Sequence, residues 1–216
     1  MYVEFDLPVV TQPHTAVSTY WNRYLFVGSP SQNQHINALA STYMRLAEAA
    51  IMEYDLGCRA LRQVWADDTS LGLRAMHRSI SHFESCVSDM HRAISAYRRL
   101  RRHKAMDPLS LYLAKCKPAF ATDAIASQIR IVRDAIHHLE EMVVEDRIPY
   151  GQPIALRPNG VELAHPSEEG QTVKTFDRLE IGANQLSFHS IATWLEEIST
   201  VAAKIAEYEP NQAQTP

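Results

Sequence analysis

The feature that most constrains the fold is a repeat of apolar residues at alternating spacings of four and three. It runs from Met76 to Tyr97 and again from Ile125 to Val143. This spacing places the apolar side chains on one face of an α-helix, as in helical bundles and coiled coils. Each helix must bury that face against other helices. The repeat therefore predicts a mainly α protein built as a helical bundle.

Apolar residues at steps of three or four predict two further long helices, over about 34–65 and about 190–208. Gly57 weakens the first of these and is expected to bend it. Asp67, Asp68 and Thr69 are candidate N-caps for the helix that carries Met76. A short helix is also predicted over 14–26.

Proline and threonine punctuate the middle of the chain. Asp107-Pro108 combines a cap with a proline at the first helical position, which predicts the start of a short helix that Pro118 ends. Thr122 is expected to cap the helix that begins with Ile125.

Three short segments have a period of two, which is typical of strands. Residues 1–10 predict a strand or an extended arm. Ile154, Leu156, a Pro-Asn-Gly turn, Val161 and Leu163 predict one β-hairpin. A turn through Gly182 and Asn184 predicts a second hairpin.

The predicted fold is a bundle of four to five helices with a small β-hairpin appendage inserted before the last helix. We expect an N-terminal arm and short helix over 1–30, the helical bundle over 31–147 and the β appendage over 148–189. A C-terminal helix packed on the bundle follows over 190–209, and a disordered tail over 210–216.

Composition excludes several classes of protein. The 216 residues are 46% hydrophobic and 21% charged, with a net charge of −4, which does not fit a basic nucleic-acid coat or a disordered acidic tail. Charge is uneven, however. Residues 70–104 carry eight Lys/Arg against two Asp/Glu, and residues 139–209 carry five against thirteen. This asymmetry favours a dimer or a partner of complementary charge.

The sequence shows no secretory signal and no apolar run that could span a bilayer, so a soluble, cytoplasmic protein is expected. Cys58, Cys86 and Cys116 are widely spaced and fit small side chains in helices better than a disulfide framework or a zinc site. There is no GxGxxG, P-loop, GxSxG or HExxH motif. No metal and no cofactor is therefore predicted.

One motif contains side chains suited to catalysis. Arg133 is followed directly by Asp134, and His137 and His138 come after two further residues of the same predicted helix. This gives an R-x4-H element with a polar residue directly after the arginine. This element, toward the end of a core helix, resembles the signature of the HEPN superfamily. The resemblance covers roughly residues 34–146 as architecture and six residues as a motif.

The resemblance implies an α-helical bundle, often dimeric, and in many members a metal-independent endoribonuclease, among them toxins of toxin–antitoxin pairs. His138 is then the motif histidine by count. In a straight helix Arg133 and His137 lie on the same flank, whereas His138 lies on the other. His138 could act together with Arg133 only if the helix ends or distorts there, or if a second subunit supplies one of the two residues. His137 is kept as the alternate.

The chemistry follows from the residue types. An imidazole can take a proton from a ribose 2′-hydroxyl or give one to the leaving oxygen, and an arginine can hold the scissile phosphate. The product would be a 2′,3′-cyclic phosphate. RNA-binding is expected from the basic run: Arg98, Arg99, Arg101, Arg102 and Lys104.

Two alternatives stay open. The basic run also fits a solvated helix C-terminus, where cations are favourable. Glu140, Glu141, Glu145 and Asp146 make the end of the motif helix acidic. That acidity favours a non-catalytic HEPN-like interaction module, either a homodimer or a partner of an antitoxin or another protein.

Overall fold

The computed structural model describes residues 1–65, 72–104, 107–148, 153 and 155–209, apart from the side chain of Glu140. The candidate caps Asp67, Asp68 and Thr69, the hairpin residue Ile154 and the predicted tail 210–216 lie outside these residues. The described chain is mainly helical with one small mixed sheet, which confirms the mainly α class.

Seven α-helices are present in the described ranges, more than the four to five predicted. They are α1 (His14–Phe26), α2 (Gln34–Gln63), α3 (Leu73–Leu100), α4 (Pro108–Cys116), α5 (Asp123–His137), α6 (Leu139–Val144) and α7 (Phe188–Glu207). A 3₁₀ turn, Ala119–Ala121, precedes α5. The number is higher for two reasons. The short segments α1 and α4 are α-helices in addition to the predicted bundle, and the predicted helix that carries the repeat from Ile125 to Val143 is divided into α5 and α6.

The sheet is larger than the predicted appendage. It contains β1 (Tyr2–Phe5), β2 (Arg157–Ala164), β3 (Thr172–Ile181) and β4 (Asn184–Ser187). β2 is antiparallel to β3 along most of its length, so the parallel β1 and the antiparallel β4 share the other edge of β3. The N-terminal strand thus pairs with a segment some 170 residues later, a contact that local sequence patterns do not reveal.

The predicted Pro-Asn-Gly turn is wrong. Pro158, Asn159 and Gly160 lie inside β2, and the pairing of β2 with β3 shifts between Asn159 and Gly160. A Cβ on Gly160 would stand 1.6 Å from the carbonyl oxygen of Thr175. The glycine therefore permits a close approach of two strands at a bulge instead of a reversal of the chain. The second predicted hairpin is confirmed as β3 and β4.

The contacts divide the chain into two compact units. The first comprises residues 1–10, 53–87 and 130–193, and the second comprises 11–52, 88–129 and 194–216. α2, α3, α5 and α7 each contribute residues to both.

Aromatic side chains fill the core of the first unit. The rings of Phe5, Trp65 and Phe176 form a cluster in which each contacts the other two, with centroid distances of 4.9 to 5.8 Å. Phe83 of α3 is fully buried and contacts Phe188 at the start of α7. These contacts hold the sheet and the helix segments of this unit together through apolar burial.

Buried tyrosines in the second unit bind backbone carbonyls. Tyr43 donates to the carbonyl of Ile198 at 2.8 Å, and Tyr97 donates to that of Leu113 at 2.8 Å. Both rings are fully buried, so these bonds satisfy hydroxyls that would otherwise be costly to bury. No described helix is long and apolar enough to cross a membrane.

Candidate functional site

The motif is on the outer side of α5. This helix buries Ala126, Ile129 and Val132, which follow the predicted apolar face. Arg133 comes directly after the last of these. Its side chain is 35% exposed, so the guanidinium remains within reach of solvent.

Arg133 and Asp134 form an ion pair. Nη1 of Arg133 donates to Oδ1 of Asp134 at 2.6 Å, and the Asp134 side chain is 38% exposed. The carboxylate offsets part of the positive charge of the guanidinium. A phosphate that binds Arg133 must therefore compete with Asp134 or bind the remaining N–H donors of the fork.

The helix is interrupted at His138. α5 ends at His137 and α6 begins at Leu139, and His138 between them has φ −103° and ψ 14°, where a regular helix has ψ near −42°. The backbone bonds continue on both sides: the amide of His138 donates to the carbonyl of Asp134, and the amide of Met142 donates to that of His138. The value of ψ at His138 redirects the chain that follows it, whereas the position of His138 relative to Arg133 is set by the regular turn of α5 before it.

His138 forms a pair with Glu141 one turn later. Nδ1 of His138 lies 3.0 Å from Oε2 of Glu141, and the two side chains are 52% and 67% exposed. His137, the last residue of α5, is also exposed. The structure thus brings Arg133 to Asp134 and His138 to Glu141, as two separate polar pairs on consecutive helices.

The end of α6 is acidic and exposed, as the sequence indicates. Glu145 accepts from Nε of Arg147 at 2.5 Å, and Asp146 adopts a left-handed backbone conformation with φ 50°. The acidic groups Glu141, Glu145 and Asp146 therefore surround the C-terminal side of the motif with negative charge.

The basic run at the end of α3 belongs to the second unit, whereas the motif belongs to the first. Arg98 is bound to the carboxylate of Asp123. Arg101 donates to the carbonyl of Ala121 at 3.3 Å and its guanidinium lies 5.6 Å from the ring centroid of Tyr97. These two arginines therefore help to hold the local fold.

The other three cations of the run, Arg99, Arg102 and Lys104, are exposed. They are the members best placed to meet an anion from solvent.

A cavity of about 220 Å³ lies beside α5 and α6 in the first unit. Ala135, Leu139 and Met142 line it together with Ile181 and Asn184. Sequence reasoning missed this cavity because its walls come from helices and a strand turn that are distant in the chain. Its walls are almost entirely aliphatic, so it offers few polar groups that could take part in catalysis.

Across the described ranges there is no group of three or more His, Cys, Asp or Glu side chains that could hold a metal ion. Cys58 and Cys86 are buried and Cys116 is half-buried, each as a free thiol. The chain has no significant match among family models, curated proteins or solved structures.

Proposed function

We propose that this chain is a HEPN-like, metal-independent endoribonuclease of the toxin or defence type. The observation that carries the proposal is the exposure of both motif side chains, 35% for Arg133 and 52% for His138, which a polymeric substrate requires. Because Arg133 and His138 lie on different flanks of the helix, a second subunit would supply one member of each catalytic pair.

The roles follow from the chemistry of the two side chains. His138 moves the proton of the ribose 2′-hydroxyl, because imidazole is the side chain that titrates closest to neutral pH. Arg133 holds the scissile phosphate and stabilises the charge that develops on it. Attack of the 2′-oxygen releases the 5′-oxygen and leaves a 2′,3′-cyclic phosphate. Asp134 fixes the orientation of the arginine fork through the 2.6 Å contact.

We propose that RNA phosphates also bind to the exposed cations Arg99, Arg102 and Lys104 of the basic run, with Arg98 and Arg101 as secondary contacts. Such contacts act through phosphate charge and do not depend on the base sequence. We further propose that the chain is a homodimer, in which a two-fold axis brings two motifs to one cleft. An antitoxin or another protein partner would then control the activity.

A second candidate is supported by a different observation. Arg133 is engaged by Asp134, and Glu141, Glu145 and Asp146 make the surroundings of His138 acidic. Negative charge repels the RNA backbone. This arrangement favours a non-catalytic HEPN-like interaction module that binds a protein partner through the same surface.

The experiment that separates the two is RNA cleavage in the presence of EDTA. The wild-type protein is compared with Arg133→Ala, His138→Ala and the matched control Arg130→Ala, which removes an exposed arginine from the same helix. The nuclease predicts cleavage that falls by about 10²-fold or more in the first two variants and stays intact in the control. Absence of cleavage by the wild-type protein across structured and single-stranded RNAs favours the interaction module.

A further inference from the structure

The pairing of His138 with Glu141 defines which ring nitrogen is free. A carboxylate accepts hydrogen bonds and does not donate them when ionised, so the Nδ1 that lies 3.0 Å from Oε2 of Glu141 must carry the hydrogen. In a neutral imidazole the other nitrogen, Nε2, then has the lone pair. The contact with Glu141 therefore selects one tautomer of His138.

We propose that Glu141 is a positioning residue that holds His138 in the Nδ1–H tautomer and directs Nε2 to the substrate. The proposal rests on the proposed ribonuclease function and adds to it the identity of the reacting atom.

The proton balance is simple. Nε2 accepts the proton of the 2′-hydroxyl while the 2′-oxygen forms a bond to phosphorus. The bond from phosphorus to the 5′-oxygen breaks, and Nε2 returns the same proton to that oxygen. During the step the ring is an imidazolium, and its Nδ1–H remains bonded to the Glu141 carboxylate, which stabilises the positive charge.

The proposal gives a role to one of the acidic residues that follow the motif. The negative charge of Glu141 repels the RNA backbone, but its carboxylate also pairs with His138. Glu145 directly follows α6 as its C-cap residue and pairs with Arg147. The two glutamates thus carry the same charge, but Glu141 pairs with His138 and Glu145 pairs with Arg147.

The first test is a spectroscopic measurement of the His138 tautomer. Ring ¹⁵N chemical shifts are recorded above the titration range of histidine, with His138→Gln used to assign the signals. Wild-type protein should show the Nδ1–H tautomer as the major form. Glu141→Ala should lose this preference, whereas the matched control Glu145→Ala should keep it. A wild-type ring with Nε2–H, or a tautomer unchanged by Glu141→Ala, overturns the proposal.

A second variant excludes a merely structural role. Glu141 stands in the first turn of α6, where a negative charge is favourable to the helix by itself. Glu141→Asp keeps the negative charge in the first turn but shortens the side chain by one methylene, so it should weaken the contact with Nδ1 and the preference for the Nδ1–H tautomer. An aspartate variant that keeps the full wild-type preference overturns the proposal.

Cleavage of RNA provides the functional readout. Glu141→Ala should reduce the rate by about tenfold, less than the roughly 10²–10⁴-fold contribution of a general acid or base itself. If wild-type protein cleaves no RNA, the proposed function fails, and the tautomer measurement still decides the pairing. If cleavage occurs and is unchanged in Glu141→Ala, the positioning role fails and the ribonuclease function stands.

Discussion

Gly57 of α2 lies so close to the ring of Phe83 of α3 that a Cβ on residue 57 would stand 2.8 Å from Cε1 of the phenylalanine. The helix α2 continues through this glycine to Gln63, and the predicted bend stays a prediction. The absence of a side chain at residue 57 allows α2 and α3 to pack closely together at this point. Ser79 confirms the proximity of the two helices, because its hydroxyl donates to the carbonyl of Gly57 at 3.1 Å.

Replacement of Gly57 by alanine should therefore destabilise the protein. Alanine improves helix propensity by about 1 kcal/mol. Overpacking against a fully buried ring costs about 1–3 kcal/mol. We expect a net loss of about 1 kcal/mol in urea-induced unfolding. Phe83→Leu removes the colliding ring atoms, so Gly57→Ala should cause no further loss when it is added to that variant. Equal losses in both backgrounds would contradict the contact.

Gly160→Ala should be more severe. The Cβ would stand 1.6 Å from the carbonyl oxygen of Thr175, and the neighbouring atoms are backbone atoms of β3 that cannot move without breaking the ladder. We expect a loss of about 3 kcal/mol or more, at the upper end of overpacking effects. Thermal unfolding measures it, with Asn159→Ala in the same strand as control. Wild-type stability in Gly160→Ala would contradict the strand pairing.

Asp107 joins the loop before α2 to the start of α4. Its Oδ1 accepts from the amide of Leu109 at 2.9 Å, and its Oδ2 accepts from the hydroxyl of Ser31. Asp107→Ala removes a helix cap and leaves the buried serine hydroxyl without this acceptor, which should cost about 1–2 kcal/mol. Urea unfolding checks this value. Ser31→Ala should lose less, because the cap bond to Leu109 remains.

Stability should fall in alkaline solution. Burial raises the pKa of the Cys58 thiol to about 12 and also that of the Tyr97 hydroxyl to about 12. In the unfolded chain the pKa values of these groups are about 8.5 and about 10. Between these values and pH 12 the native state retains protons that the unfolded state has lost. The free energy of unfolding must therefore decrease as pH rises through this range.

The measurement is urea unfolding at several pH values from 8 to 12. The decline should become shallower in Cys58→Ala and in Tyr97→Phe, since each variant removes one of the groups that retain a proton. A decline with the wild-type slope in both variants would show that other groups cause it.

The helices that bury a full apolar face could be predicted from the sequence. Val87, Met90, Ile94 and Tyr97 of α3 are all buried, as their spacing indicates. The repeat over 125–143 is less informative at its end, because Val143 is 55% exposed and lies beyond the interruption at His138. The apolar spacing in the sequence therefore extends beyond the part of the helix that is buried.

The sheet could be predicted only in part, because its pairing is not local. Pro158 and Gly160 have strong turn preferences, yet pairing with β3 overrides them. The parallel pairing of Tyr2 with Val173 joins the N-terminal strand to a strand that is far away in the sequence. The motif residues Arg133, Asp134 and His138 stay a prediction from the sequence. The pairing of Arg133 with Asp134 and of His138 with Glu141 required the structure.

The most direct test of the central claim is analysis of the RNA ends produced in EDTA by wild-type protein, His138→Ala and His137→Ala, at equal thermal stability. We expect 2′,3′-cyclic phosphate and 5′-hydroxyl ends from wild-type protein and from His137→Ala, and loss of both products in His138→Ala. Cleavage that persists in His138→Ala, or that yields 3′-hydroxyl and 5′-phosphate ends, would contradict the claim.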